Sequence, residues 1–123
     1  MLGKYNVGPV LAVKDLGVAA GFYGGVLGLH PEKQDEQRIV YSSGSSTLEV
    51  YVSSFAGTNQ ATAATWEADD IEAEVAELNG KGVKFEHYTD MPGVKLEGDI
   101  HLMGDEKAVW FKDPDGNILC IHS

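Results

Sequence analysis

Two carboxylates and one short run near the end are the residues of this chain best suited to chemistry. Glu49 sits in Thr47-Leu48-Glu49-Val50-Tyr51-Val52, and Glu67 in Ala63-Ala64-Thr65-Trp66-Glu67-Ala68. Both stretches read as strands, in which side chains two positions apart share a face. Thr47, Glu49 and Tyr51 therefore go together, as do Thr65 and Glu67. A carboxylate in a partly apolar cleft can act as a general base or bind a cationic ligand. The plainer alternative leaves both carboxylates solvated at a cleft mouth. Cys120 and His122 also alternate onto one face. With Glu49 they could form a zinc site. More simply, Cys120 is a small buried hydrophobe and His122 a terminal residue. Trp110 and Tyr51 could stack on a flat ligand. The candidate ligand contacts are thus Glu49, Tyr51, Glu67, Trp110, Cys120 and His122, and the candidate catalytic residues are Glu49 and Glu67. His30, beside Pro31, reads as a turn residue. His87 and His101 read as solvated or core-edge histidines.

The elements that position these residues form a pattern stated twice. Residues 7–13 are apolar and β-branched enough for a strand. Asp15 follows as an N-cap whose carboxylate accepts from the free amides of the first helical turn. Leu16, Ala19, Ala20, Tyr23, Val26 and Leu27 have helical spacing, and Gly28 is placed to end the helix in a left-handed conformation. Residues 38–41 and 47–52 read as strands around a Ser-Gly-Ser turn. The order then repeats. Residues 63–68 are a strand, Asp70 caps a helix with Ile71, Val75 and Leu78 on its buried stripe, and Asn79-Gly80 with Gly82 stops it. Residues 83–88 are a strand and residues 89–104 a long loop. Residues 107–112 and 117–121 are strands joined by Asp113-Pro114-Asp115-Gly116, a type I turn signal. The order is βαβββ followed by βαβββ. The expected fold is α+β, with two modules, about 1–56 and about 62–123, inside one domain of residues 1–123. Each module is expected to be an open half-barrel sheet with its helix on the convex face and a cleft shared between the two.

Three runs carry a family resemblance. The first is Val13-Lys14-Asp15-Leu16 with Phe22-Tyr23 and Val26-Leu27-Gly28-Leu29. The second is Ala68-Asp69-Asp70-Ile71 with Glu77-Leu78 and Lys81-Gly82-Val83. The third is Trp110-Phe111-Lys112-Asp113-Pro114-Asp115-Gly116-Asn117-Ile118-Leu119. Together they resemble the glyoxalase / bleomycin-resistance / extradiol-dioxygenase family, the vicinal oxygen chelate superfamily. The resemblance implies four inward-facing metal positions, one on the first and one on the last strand of each module, usually His, Glu or Gln. Here those positions hold Gly8, Glu49, Ala63 and Cys120. Gly8 and Ala63 have no side-chain donor, and one carboxylate with one thiol does not make such a site. No metal or other cofactor is therefore expected. The reading that follows is a metal-independent protein that holds a small organic ligand, cationic or aromatic, in the cleft between sheets. The alternative is a metal-free lyase or isomerase with a cleft Glu as base. A metal-dependent lyase or dioxygenase is disfavoured by the missing ligands. The resemblance also implies a homodimer.

Composition agrees with this reading and narrows the partners. The 123 residues carry a net charge of −10 with only nine Lys and Arg, which disfavours nucleic acid. The single cysteine rules out an internal disulfide. No stretch approaches membrane-spanning length, and residues 1–6 lack a signal-type apolar core. A cytoplasmic protein without membrane contact is the expectation.

Overall fold

The computed structural model describes residues 1–123. They form two compact units, Met1–Thr58 and Asn59–Ser123, each with its own sheet.

The first unit opens with a 3-10 turn at Leu2–Lys4, then strand β1 (Val10–Val13). Gly8 and Pro9 lie outside β1, so the strand is shorter than the apolar run that announces it. Asp15 caps the following helix α1 (Leu16–Ala19), its Oδ1 accepting from the Val18 amide at 3.0 Å. The regular α-helix stops after one turn. Ala20–Val26 is π-helical, with the Leu27 amide reaching back five residues to the Phe22 carbonyl at 2.9 Å. Gly21, Gly24 and Gly25 explain why the spacing misleads here. Three glycines in seven residues lower helix propensity and free the backbone to widen. Only Ala19 and Tyr23 of the expected apolar face are buried. Gly28, at φ 74°, ends the segment in the left-handed conformation expected of it.

Strands β2 (His30–Gln34), β3 (Arg38–Ser43) and β4 (Ser46–Val52) complete a sheet ordered β1-β4-β3-β2. His30 is thus the first residue of a strand and not a turn residue. Pro31 is tolerated because β2 is an edge strand with a register irregularity between Pro31 and Lys33. β1 runs parallel to β4, pairing Val10 with Glu49 and Ala12 with Tyr51. Leu11, Val13, Ile39, Tyr41, Leu48 and Val50 are buried together with Ala19 and Tyr23. The rings of Tyr23 and Tyr41 lie 6.1 Å apart.

The second unit repeats the opening with strand β5 (Thr62–Glu67) and helix α2 (Ile71–Gly80). Asp70 caps α2 through the Ala73 amide at 3.1 Å, and Glu72 and Glu74 sit in its first turn, complementing the helix dipole. Beyond α2 the two units diverge. The stretch read as strand 83–88 is only the two-residue β6 (Phe85–Glu86). The stretch read as loop 89–104 contains a hairpin, β7 (Lys95–Glu97) and β8 (Ile100–Met103), turning at Gly98 with φ 63°. β9 (Glu106–Lys112) and β10 (Ile118–His122) follow. The sheet order is β5-β10-β9-β8-β7, with β6 pairing to β9. Leu119, Ile121, Val109 and Phe111 fill the core with Ile71, Val75, Leu78 and Phe85. The β9–β10 turn is held by Asp113: its Oδ1 accepts from the Asp115 and Asn117 amides and its Oδ2 from the Asn117 side chain. The α+β class with tandem modules and open sheets is what the sequence led us to expect. The extra hairpin in the second module is not.

Candidate functional site

In each unit the strand face turned away from the buried core carries the candidate residues, and the two faces differ in chemistry. On the first, β4 presents Glu49 and Tyr51, with Val10 and Ala12 beside them on β1 and Val40 and Arg38 on β3. Arg38 donates from Nη1 to Glu49 Oε1 at 2.8 Å. Glu49 is therefore an ion-pair partner, not a bare carboxylate between apolar neighbours. An ion pair this open to solvent adds about 0–1 kcal/mol to stability, but it fixes where the carboxylate points. Arg38 was missed in the sequence. The hairpin around Gly44 could have disclosed it, since pairing Val40 with Glu49 puts Arg38 diagonally across. Tyr51 is exposed on the same face.

On the second face, Thr65 of β5 is in register with Cys120 of β10, and Glu67 with His122. The Thr65 hydroxyl hydrogen-bonds both neighbours: the imidazole Nδ1 of His122 at 2.8 Å and the Cys120 thiol. Burial raises the Cys120 thiol above its ordinary pKa, and the Thr65 hydrogen bond offsets part of that. Cys120 is buried at 6% exposure, as a small hydrophobe would be, while Thr65 stands exposed over it. His122 is not a loose terminal residue; it pairs with both β5 and β9.

Trp110 faces the same way as Cys120, its register partner on β10. Its indole N–H donates to Thr62 Oγ1 at 3.1 Å. Tyr88 and His101 meet its ring edge to face, with centroids 5.4 and 4.9 Å away. His101 is fully buried. Its Nε2 accepts from the Tyr88 amide at 2.9 Å, which leaves Nδ1 to donate to the Ala108 carbonyl at 3.3 Å. An amide can only donate, so these contacts assign one neutral tautomer. His101 is thus a core residue that ties the start of the 88–94 segment to the sheet. His87 pairs at the surface with Asp99 at 2.8 Å. Tyr88, His101 and Thr62 were not among the sequence candidates. The hairpin that places His101 beside Trp110 lies in the stretch read as a loop, so no register was available to find it.

Glu67, at the end of β5, is exposed and makes no ion pair. Of the four positions where the resemblance implies metal ligands, Gly8 and Ala63 bring no donor, Glu49 is held by Arg38 and Cys120 by Thr65. No three His, Cys, Asp or Glu side chains come together as a metal-holding group. This donor set does not fit a divalent ion, which takes several nitrogen, oxygen or thiolate ligands at once.

Two tandem units, each with a parallel first and last strand and an Asp-capped helix between, define an α+β protein of paired modules. The chain belongs to the Glyoxalase/Bleomycin resistance protein/Dioxygenase superfamily, whose model matches residues 7–121. Among solved structures it is similar to a glyoxalase family protein from Enterococcus faecalis, with TM-score 0.76, 20% identity and 100% of both chains covered. It is similar to lactoylglutathione lyase from Agrobacterium tumefaciens, with TM-score 0.71, 18% identity and coverage of 96% and 92%. It is also similar to the bleomycin resistance determinant encoded on transposon Tn5, with TM-score 0.70, 18% identity and 97% of both chains covered. At these identities the likeness is one of fold. No curated protein matches the sequence. No helix is long and apolar enough to cross a membrane.

Proposed function

We propose that this chain is a metal-independent member of its family that binds a small organic ligand on the strand faces opposite the helices. The observation that carries the reading is the donor set. Two of the four metal positions have no ligating side chain, and the other two are Glu49, already paired with Arg38, and Cys120, already bonded to Thr65. What remains suits a molecule better than an ion. Trp110, held at one edge by Thr62 and buttressed by Tyr88 and His101, supplies a rigid aromatic surface. Glu67, on the same sheet, supplies an unpaired carboxylate able to meet a cation, and on the first unit's own face Tyr51 is an exposed aromatic ring. His122 and Thr65 add hydrogen-bonding capacity beside Glu67. The ligand class is therefore aromatic or cationic, without nucleic acid or membrane as partner, and we place the protein in the cytoplasm.

A thermal-shift screen of the chelator-treated protein against cationic antibiotics and aromatic metabolites tests this, because a ligand of the native state raises the melting temperature. A shift that is kept in chelator and lost in Trp110→Ala is expected. Silence across a broad panel, or shifts that appear only with added metal, would remove the proposal.

A second reading is a metal-free lyase or isomerase with a carboxylate base. The Arg38–Glu49 pair moves that role away from Glu49 and onto Glu67, which has no cation bound to it. Once a turned-over substrate is in hand, Glu67→Gln should stop the reaction while Glu49→Gln slows it little. Equal losses in both would reject this assignment.

A further inference from the structure

We propose that His101 is a pH-sensitive latch: its neutral imidazole holds the chain at Tyr88 against the second sheet, and its protonation releases that chain from the aromatic surface of Trp110. This names a regulation of the surface assigned above to ligand binding, and rests on that reading only for what release does to a ligand. His101 lies on the strand face turned away from the helix, yet it is 0% exposed. The chain that follows β6 covers it. The rings of Tyr88 and His87 lie 5.9 and 6.5 Å from its own, and Trp110 closes in at 4.9 Å. Two hydrogen bonds fix the imidazole: Nε2 accepts from the Tyr88 amide at 2.9 Å, and Nδ1 donates to the Ala108 carbonyl at 3.3 Å. Past Tyr88 the chain is weakly held. The Val94 amide donates to the Met91 carbonyl at 3.3 Å, a bond that closes on the segment itself, and the ladder to β8 begins only at Lys95.

A neutral imidazole has one acceptor nitrogen and an imidazolium has none. A proton on Nε2 therefore sets an N–H against the Tyr88 N–H, and the bond that holds the chain down is lost. The charged ring is also costly to keep out of water without a partner. None is at hand. His87 stands over His101, but it pairs with Asp99 at 2.8 Å, and Asp90 further along is exposed. On the sheet, His101 is in register with Ala108, Ala108 with His122 and His122 with Glu67, so that histidine and that carboxylate stand two and three strands away. Glu86 is in register with Trp110 and pairs with Lys112. On β7 the register partner is Leu96, and Lys95 and Glu97 alternate to the other face. The released form takes up a proton that the latched form excludes, so falling pH favours release. Release removes from Trp110 one of its two edge-to-face neighbours and charges the other.

The test is amide hydrogen exchange of the full chain, read by NMR from about pH 8 to about pH 5, the range in which histidine side chains ordinarily change charge. The protection factor of the Tyr88 amide should fall by roughly tenfold across it, while those of Val109 and Phe111 in the core hold. His101→Gln keeps an acceptor that does not titrate in this range, and should leave Tyr88 protected at both ends. His87→Gln removes the surface pair with Asp99 and should leave the fall in place. The wild-type ring gives a measurement that needs no variant to fold: its nitrogen shifts should show the Nδ1–H tautomer at high pH and imidazolium at low pH, with the midpoint of the Tyr88 change. Steady protection at Tyr88, a fall shared by the core amides, a fall kept in His101→Gln or lost in His87→Gln, or two different midpoints would each overturn the latch. None of these readings involves a ligand. A working latch with a silent ligand screen would remove the proposed function alone, and a ligand found on a protein whose Tyr88 protection is steady would remove the latch alone.

Discussion

On the first unit, the strand face away from the core carries one ion pair, Arg38–Glu49, among apolar and aromatic neighbours. On the second, the equivalent face carries a run of bonded side chains, from Trp110 to Thr62 and from Cys120 through Thr65 to His122. The interiors differ in the same direction. The first unit buries a hydroxyl without a partner, that of Tyr41. The second buries His101, Asp113 and Asn117 and bonds each of them. A repeat can therefore keep its architecture while the chemistry of its strand faces diverges. The first copy supplies an apolar, exposed surface, and the second a polar and aromatic one. The helices follow suit: α2 is a regular ten-residue α-helix, whereas the first one widens to π geometry after a single turn.

The largest effect should come from the second core. Phe111→Ala removes a fully buried ring that packs edge to face on Phe85, and should cost about 3–5 kcal/mol in denaturant-induced unfolding. The contrast in buried polar groups gives the next. His101→Leu strands the Tyr88 amide and should cost about 1–3 kcal/mol, whereas Tyr41→Phe removes a hydroxyl that bonds to nothing and should be neutral or stabilising. If Tyr41→Phe is as damaging as His101→Leu, the asymmetry drawn here is wrong.

A smaller effect is set by pH. Burial raises the Cys120 thiol above its ordinary 9.0. The unfolded chain then loses this proton before the folded chain does. The associated stability is complete below about pH 9 and is lost as pH rises through the folded value. Burial also raises Tyr41 and Tyr88, which add a further loss at higher pH. Cys120→Ala should flatten the first part of that decline in melting temperature and leave the second. The smallest effect belongs to the first face. A double-mutant cycle on Arg38 and Glu49 should return a coupling of about 0–1 kcal/mol, because both side chains reach solvent.

Much of the fold was legible because it rests on local rules. Asp15 and Asp70 announce both helix starts, and both accept from the amide three residues on. Gly28 announces a stop, and the Asp113-Pro114-Asp115-Gly116 turn announces the last hairpin. The misreadings have physical causes. Helical spacing cannot distinguish α from π geometry where three glycines relax the backbone. His30 and Pro31 look like a turn because proline is rare in strands, yet an edge position admits it. Short strands such as β7 and β8 carry too little periodicity to stand out from a loop. The strand faces of the candidate residues were legible: Glu49 with Tyr51, Thr65 with Glu67, and Cys120 with His122 fall together as alternation requires. Their wiring was not, because Arg38, Thr62, Tyr88 and His101 reach their partners across strands, and strand pairing is a long-range property.

The central proposal is that this chain binds its ligand without a metal ion. Titrating the chelator-stripped protein with Zn2+, Ni2+ and Mn2+ by calorimetry tests it most directly. The account predicts no saturable binding at one ion per chain, and no change in the melting temperature or in any ligand-induced shift when the ions are added. Tight stoichiometric binding of one of them, lost on Glu49→Ala or Cys120→Ala, would contradict it.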